Sequence, residues 1–129
     1  MPTLGQRLNN PLNVRFSPMN NWKGQTGEER GFCKFVHVDY GYRAALILLR
    51  NYVRKGYNDL KLIVSRWAPP SENDTLAYIR FLKSHGVSDV IRDISDIILL
   101  CKYMAAYESD TSVDTDYLVD IAVGFDITL

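Results

Sequence analysis

Two adjacent prolines, Pro69 and Pro70, separate a run with the spacing of a buried helix from a cluster of helix-starting residues. Proline lacks the amide hydrogen that an interior helical turn requires and biases the residue before it toward extended geometry, so no helix passes through this pair. Leu60, Ile63, Val64 and Trp67 precede it at i, i+3, i+4 and i+7, which predicts a helix capped by Asn58 with Trp67 on its buried stripe. Ser71, Glu72, Asn73, Asp74 and Thr75 follow, and Ser71 with Asp74 resembles a capping box. The next helix is expected from Ser71 or Asn73 to His85, with Leu76, Ile79 and Leu82 inward and Gly86 beyond its end. Arg66 to Thr75 thus reads as a helix-loop-helix corner, and Arg66, Trp67, Pro69, Pro70, Glu72 and Asn73 read as its architecture.

Three further stretches carry a helical period. With Asp39 as cap, Ala45, Leu48, Leu49, Tyr52 and Val53 share one face of a helix that stops before Gly56. Asp93 opens another, to about Ser109, with Ile94, Ile97, Cys101 and Met104 on one face. Tyr117, Leu118, Ile121 and Ala122 mark a last short helix, capped by Asp114 or Thr115 and closed by Gly124. Residues 1–37 show no sustained period and are rich in Asn, Gly and Pro; within them Leu12 to Phe16 and Gly31 to Val36 alternate well enough for a small hairpin. The expectation is a mainly α protein, a bundle of about five helices with a loop-rich N-terminal arm, in one domain of residues 1–129: arm 1–37, helical core 38–129.

Charge narrows the partners. Fifteen basic side chains balance fifteen acidic ones, so the broad positive field that draws proteins onto nucleic acid is missing. The longest apolar run falls short of the roughly 20 residues of a membrane span, and MPTLGQRLNN lacks the apolar centre of a secretory signal, which predicts cytoplasmic synthesis. Cys33 and Cys101 form no CxxC pair and are expected as packed free thiols; His37 and His85 have no partner at metal-ligand spacing. No cofactor motif is present, and neither a nucleophile elbow nor a phosphate-binding Gly-rich loop occurs.

The candidate for chemistry is Glu108. The stripe through Ile97, Cys101 and Met104, extended by four, lands on it at the end of a helix. Burial disfavours the charged carboxylate and the negative end of the helix dipole adds to that, so its pKa is expected to rise. A carboxyl still protonated near neutrality can donate a proton to a leaving oxygen, as the general acid of a glycoside hydrolase does. A frayed last turn would instead leave Glu108 in water, and spacing does not choose between the two. The second candidate is the arm itself, where Asn9, Asn10, Asn13, Arg15, Trp22 and Gln25 offer the amide, guanidinium and aromatic groups that line sugar-binding grooves. The same residue types also serve turns and pin loops to a core.

Five blocks, NNPLNVR, NWKGQ, GFCKF, YGYRAALILLRNYV and RWAPPSENDTLAYI, occur in this order. Together they resemble a family of small phage and prophage proteins usually described as virion or structural proteins, over roughly residues 9 to 82. That resemblance implies a phage or mobile-element origin and a place in a particle or lysis system, with other virion proteins as partners. Ala105-Ala106-Tyr107-Glu108-Ser109, and separately Asn9 to Arg15, resemble in reversed order the two blocks of lysozyme-like glucosaminidases and transglycosylases that cut cell-wall glycan. This second likeness implies a circularly permuted lysozyme-like fold, Glu108 as general acid, the arm lining a glycan groove, and peptidoglycan as substrate. The alternative is a noncatalytic virion or host-interaction protein.

Overall fold

The computed structural model describes residues 1–129. It opens with a helical turn, α1 (Leu4–Arg7), that the residue spacing does not announce. A capping box closes it: the Gln6 amide donates to Thr3 Oγ1 at 3.2 Å and the Thr3 amide to Gln6 Oε1 at 3.0 Å. A hairpin follows, β1 (Gln25–Glu29) paired antiparallel with β2 (Phe32–Phe35), Glu29 opposite Phe32. Arg30 and Gly31 form its turn with φ of 55° and 85°, the left-handed pair whose twist matches that of the strands.

This corrects the expected pairing of Leu12–Phe16 with Gly31–Val36. A two-residue turn closes a far shorter loop, so Gln25–Glu29 takes the long edge of β2. Leu12–Phe16 meets the other edge through a single bridge, Arg15 opposite Phe32. A lone two-stranded sheet is marginal, and here the arm supports it: Cys33 N donates to Val14 O at 3.0 Å and Phe35 N to Leu8 O at 2.9 Å.

Five longer helices complete the chain: α2 (Val38–Arg54), α3 (Leu60–Trp67), α4 (Thr75–Ser84), α5 (Ile94–Ser109) and α6 (Thr115–Gly124). The protein is therefore mainly helical with a small antiparallel sheet, and has six helices where about five were expected. Three starts differ from expectation. His37 caps α2 through Nδ1, Asp59 caps α3, and Asp74 caps α4 by accepting from Ala77 N at 3.0 Å, which leaves Ser71 in the loop. Asp93 caps α5 and Asp114 sits at the cap of α6, as anticipated.

α4 faces the core with Ile79 and Leu82 as expected, but not with Leu76. Leu76, expected inward, is 59% exposed, while Tyr78 is fully enclosed with Leu82. A start at Thr75 puts Tyr78, Ile79 and Leu82 on the inner face, and a large aromatic buries more area there than Leu76 would.

α5 is the central element, packed against α1, α2, α4 and α6. Its buried residues, Ile97, Ile98, Leu100, Cys101, Met104 and Ala105, lie on more than one face, as a helix surrounded by others requires. They belong to one core cluster of 27 buried residues that also takes in Leu12, Phe35, Leu49, Ile63, Leu82 and Leu118. Cys33 and Cys101 are buried free thiols. No helix is long and apolar enough to cross a membrane.

Candidate functional site

α5 ends at the residue pair that the sequence singles out, and its last turn does not fray. Asp110 takes the left-handed conformation (φ 51°, ψ 42°), returning its amide to Ala106 O at 3.0 Å. The carbonyl of Ser109 accepts from Thr3 Oγ1 and from Gln6 Nε2, each at 2.9 Å, and Gln6 Nε2 also reaches Asp110 O at 3.0 Å. α1 is thus a side-chain cap for the C-terminus of α5, satisfying carbonyls that a helix end otherwise leaves open. The approach is close enough to require glycine: a Cβ on Gly5 would lie 1.9 Å from Ser109 Oγ.

Held this way, Glu108 is half-buried rather than turned into solvent. Its Oε1 accepts from Asn13 Nδ2 at 2.9 Å. Asn13 sits at φ 53°, a conformation that Asn tolerates better than most residues, which aims its amide across the arm at α5. Burial pushes the Glu108 carboxyl above the usual carboxylate range, against the opposing pull of Asn13, Tyr78 and the Arg15 charge. Tyr78 is near enough that the carboxylate raises the proton affinity of its hydroxyl in turn, after burial itself, yet that hydroxyl has no hydrogen bond of good geometry. Tyr78 also stacks on Tyr107, ring centroids 4.0 Å apart.

Asn13, the hydrogen-bond partner of this acid, is also one of the residues lining an open cleft of about 140 Å³, with Val14, Arg15 and Asn20 from the arm, Leu48 and Tyr52 from α2, and Arg66 and Trp67 from α3; Glu108 itself is not part of that lining. Trp67 donates from Nε1 to Leu12 O at 2.7 Å and meets Tyr52 edge-on, so the aromatic wall is fixed. Arg15 stands over the Phe32 ring at 5.3 Å and pairs with Glu72 at 2.6 Å. Arg66 lies over the Tyr57 ring at 4.3 Å. The Pro69–Pro70 corner does more than turn the chain: it places Arg66 and Trp67 in the cleft wall and brings Glu72 to its rim.

Of the arm residues expected to line a groove, the structure brings Asn13 and Arg15 to the cleft. Asn10 corrects the expectation, because it is wholly enclosed: Nδ2 donates to Val14 O at 3.0 Å and Cys33 O at 2.9 Å, and Oδ1 accepts from Val14 N at 2.8 Å. Asn9, left-handed at φ 55°, spends its amide on Phe35 O at 3.0 Å. Trp22 and Gln25 close their own turn, where Gln25 Oε1 accepts from Trp22 N at 3.1 Å, and neither lines the cleft. Asn73 donates to Pro69 O at 3.2 Å and stays a loop brace. Tyr52, Asn20 and Tyr78 are additions. Tyr78 takes the inner-face position that Leu76 was expected to fill, and no spacing signal marks Asn20.

Among the loop carboxylates, Glu72 alone is paired to a cleft residue. Glu29 binds Arg7 at 2.5 Å and Glu28 accepts from Gly31 N at 3.1 Å, both at the hairpin. No group of three His, Cys, Asp or Glu side chains is arranged to hold a metal ion.

The chain is 37% identical over 83 residues to Protein P5 of Pseudoalteromonas phage PM2, a match covering 60% of this chain and 52% of that protein. It is therefore related to a phage protein, and spans about half the length of that curated relative. No family model matches the chain.

Proposed function

We propose that this phage-related protein acts on the glycan strands of bacterial cell-wall peptidoglycan, as a hydrolase or lytic transglycosylase with Glu108 as general acid. One observation carries the reading. A carboxyl with raised proton affinity is anchored at the end of the central helix by Asn13, a residue that also lines the neighbouring open cleft with its aromatic wall. In this reaction Glu108 gives its proton to the glycosidic oxygen as the C–O bond breaks, and positive charge develops at the anomeric carbon. The 2-acetamido group of the sugar, or the Glu72 carboxylate once released from Arg15, stabilises that centre. Water then adds to give a reducing end, or an internal sugar hydroxyl closes on the anomeric carbon, and in either case the proton of the attacking O–H returns to the Glu108 carboxylate.

Incubating the protein with purified cell walls and following soluble glycan fragments tests this. The Glu108→Gln variant should lose about 10²–10⁴-fold in rate, the usual worth of a positioned acid. Walls left intact by the unsubstituted protein, or cleaved equally by both proteins, would refute it.

A second reading, a noncatalytic virion or host-interaction protein, is favoured by a different feature. An apolar hollow of about 330 Å³ lies between α5 and α6, lined by Ile94, Ile98, Val119, Ala122, Val123 and Ile127, among other residues. Under that reading the chain occurs in particles in stoichiometric amounts, and particles carrying Glu108→Gln infect as well as those without it.

A further inference from the structure

Arg66 and Arg15 are the two charged residues lining the cleft, and no carboxylate lines it, although the chain as a whole is neutral. Their charges are not equally available. Arg15 is held by Glu72 at 2.6 Å, whereas Arg66 is exposed and forms none of the ion pairs of the protein. Its guanidinium carbon lies over the Tyr57 ring, 4.3 Å from the centroid, a contact that uses none of its N–H donors. A guanidinium with unfilled donors matches the planar, bidentate geometry of a carboxylate. On the same wall Trp67 is immobilised by its bond to Leu12 O and offers apolar surface beside the charge.

Resting on the glycan reading above, we propose that Arg66 is the specificity-determining residue of this cleft. It selects carboxylate-bearing sugars, those carrying a lactyl ether or a peptide attached through one, over neutral N-acetylglucosamine polymers. The neutral parts of the substrate lie against Trp67 and Tyr52, while the carboxylate docks on Arg66.

The test is a binding titration with the full-length Glu108→Gln protein, so that turnover does not consume the ligand. Four probes are used: chitohexaose, peptide-free cell-wall glycan strands, the same strands with their carboxyls converted to methylamides, and strands that still carry stem peptides. Free lactyl strands should bind at least tenfold more tightly than chitohexaose, as loss of a charge-assisted contact requires. Methylamidation or a further Arg66→Gln substitution should remove that preference, and the preference should weaken as salt rises. Strands that still carry stem peptides separate the two carboxylate sources. If they alone are preferred, the recognised group lies on the peptide; if peptide-free strands suffice, it is the lactyl group. Equal binding of chitohexaose and of strands with and without stem peptides overturns the inference and leaves the glycan reading standing. Failure to bind any of the glycans overturns both. The methylamide arm needs no substitution at Arg66, so misfolding of that variant does not obscure the result.

Discussion

Replacing Gly5 with alanine should both destabilise the protein and disable Glu108, and the geometry sets the scale. The new Cβ would stand 1.9 Å from Ser109 Oγ, 2.9 Å from Ser109 Cβ and 2.8 Å from Asn10 O. Unbonded carbons settle at about 3.5–4.0 Å, so a different Ser109 rotamer relieves one of the three clashes and leaves two against atoms fixed to the backbone. Either α1 lifts away or the last turn of α5 shifts. Overpacking of this kind costs about 1–3 kcal/mol. At roughly 3–6 °C per kcal/mol for a chain of this size, Tm should fall by roughly 3–18 °C. Displacing α1 also breaks the two 2.9 Å bonds to Ser109 O, one residue from Glu108, so the wall-cleaving activity proposed above should fall at least tenfold at temperatures where the variant is still folded. Thermal melts by circular dichroism and clearing of a cell-wall suspension measure the two effects. Gly27→Ala is the control, since nothing lies within 4 Å of its Cβ position. Adding Ser109→Gly to Gly5→Ala should restore part of the loss, a coupling that independent sites do not show. A Gly5→Ala protein with unchanged Tm and activity would refute the docking of α1 on α5 as the device that holds Glu108.

Four other outcomes follow. Because burial raises the Glu108 pKa in the folded state, the fold binds a proton that the unfolded chain has released; stability is therefore lost as pH rises from the unfolded pKa through the folded one. Glu108→Gln should accordingly melt higher than the unsubstituted protein at pH 7 and lose that advantage near pH 3; an identical difference at both pH values would contradict it. Asn13→Ala removes a bond that favours the carboxylate, so the alkaline limb of the pH–rate profile, where the acid loses its proton, should move to higher pH. An unmoved limb counts against Asn13 as the anchor. Asn10→Ala strands the buried Val14 N–H at a cost of about 1–3 kcal/mol. A urea midpoint within error of the parent protein would show that water or a neighbour replaces Asn10. Trp67→Phe loses the bond to Leu12 O while keeping most of the apolar contact, and should cost about 0.5–1.5 kcal/mol in the same measurement.

The elements most legible from residue types were those whose stability comes from a long apolar period. α5 shows its cap, length and stripe directly, and Glu108 could be found because the same period reaches it. α1 could not be found that way. Four residues carry no period, and its position depends on Thr3 and Gln6 meeting carbonyls more than a hundred residues away. The inner face of α4 turned on which of several capping residues wins: with Asp74 as the cap, Leu76 is exposed and Tyr78 lies inside, beside Glu108. The Asn-rich arm was read for its hydrogen-bonding chemistry, whereas two of its asparagines are needed for left-handed backbone and one for a buried brace. The cleft draws on the arm, α2 and α3, so no window of sequence contains it.

The bond from Thr3 Oγ1 to Ser109 O joins positions 106 residues apart. Contacts of such long range close a large loop and tend to form late in folding. While the chain is being synthesised, α2 to α4 have most of their sequence long before α5 exists, and α5 can collapse on them before its end is clasped. The acid therefore acquires its environment in the final step of assembly, and partly folded chains carry Glu108 as an ordinary solvated carboxylate. Amide exchange at Ser109 and Asp110 should report this step separately from the protection of the core.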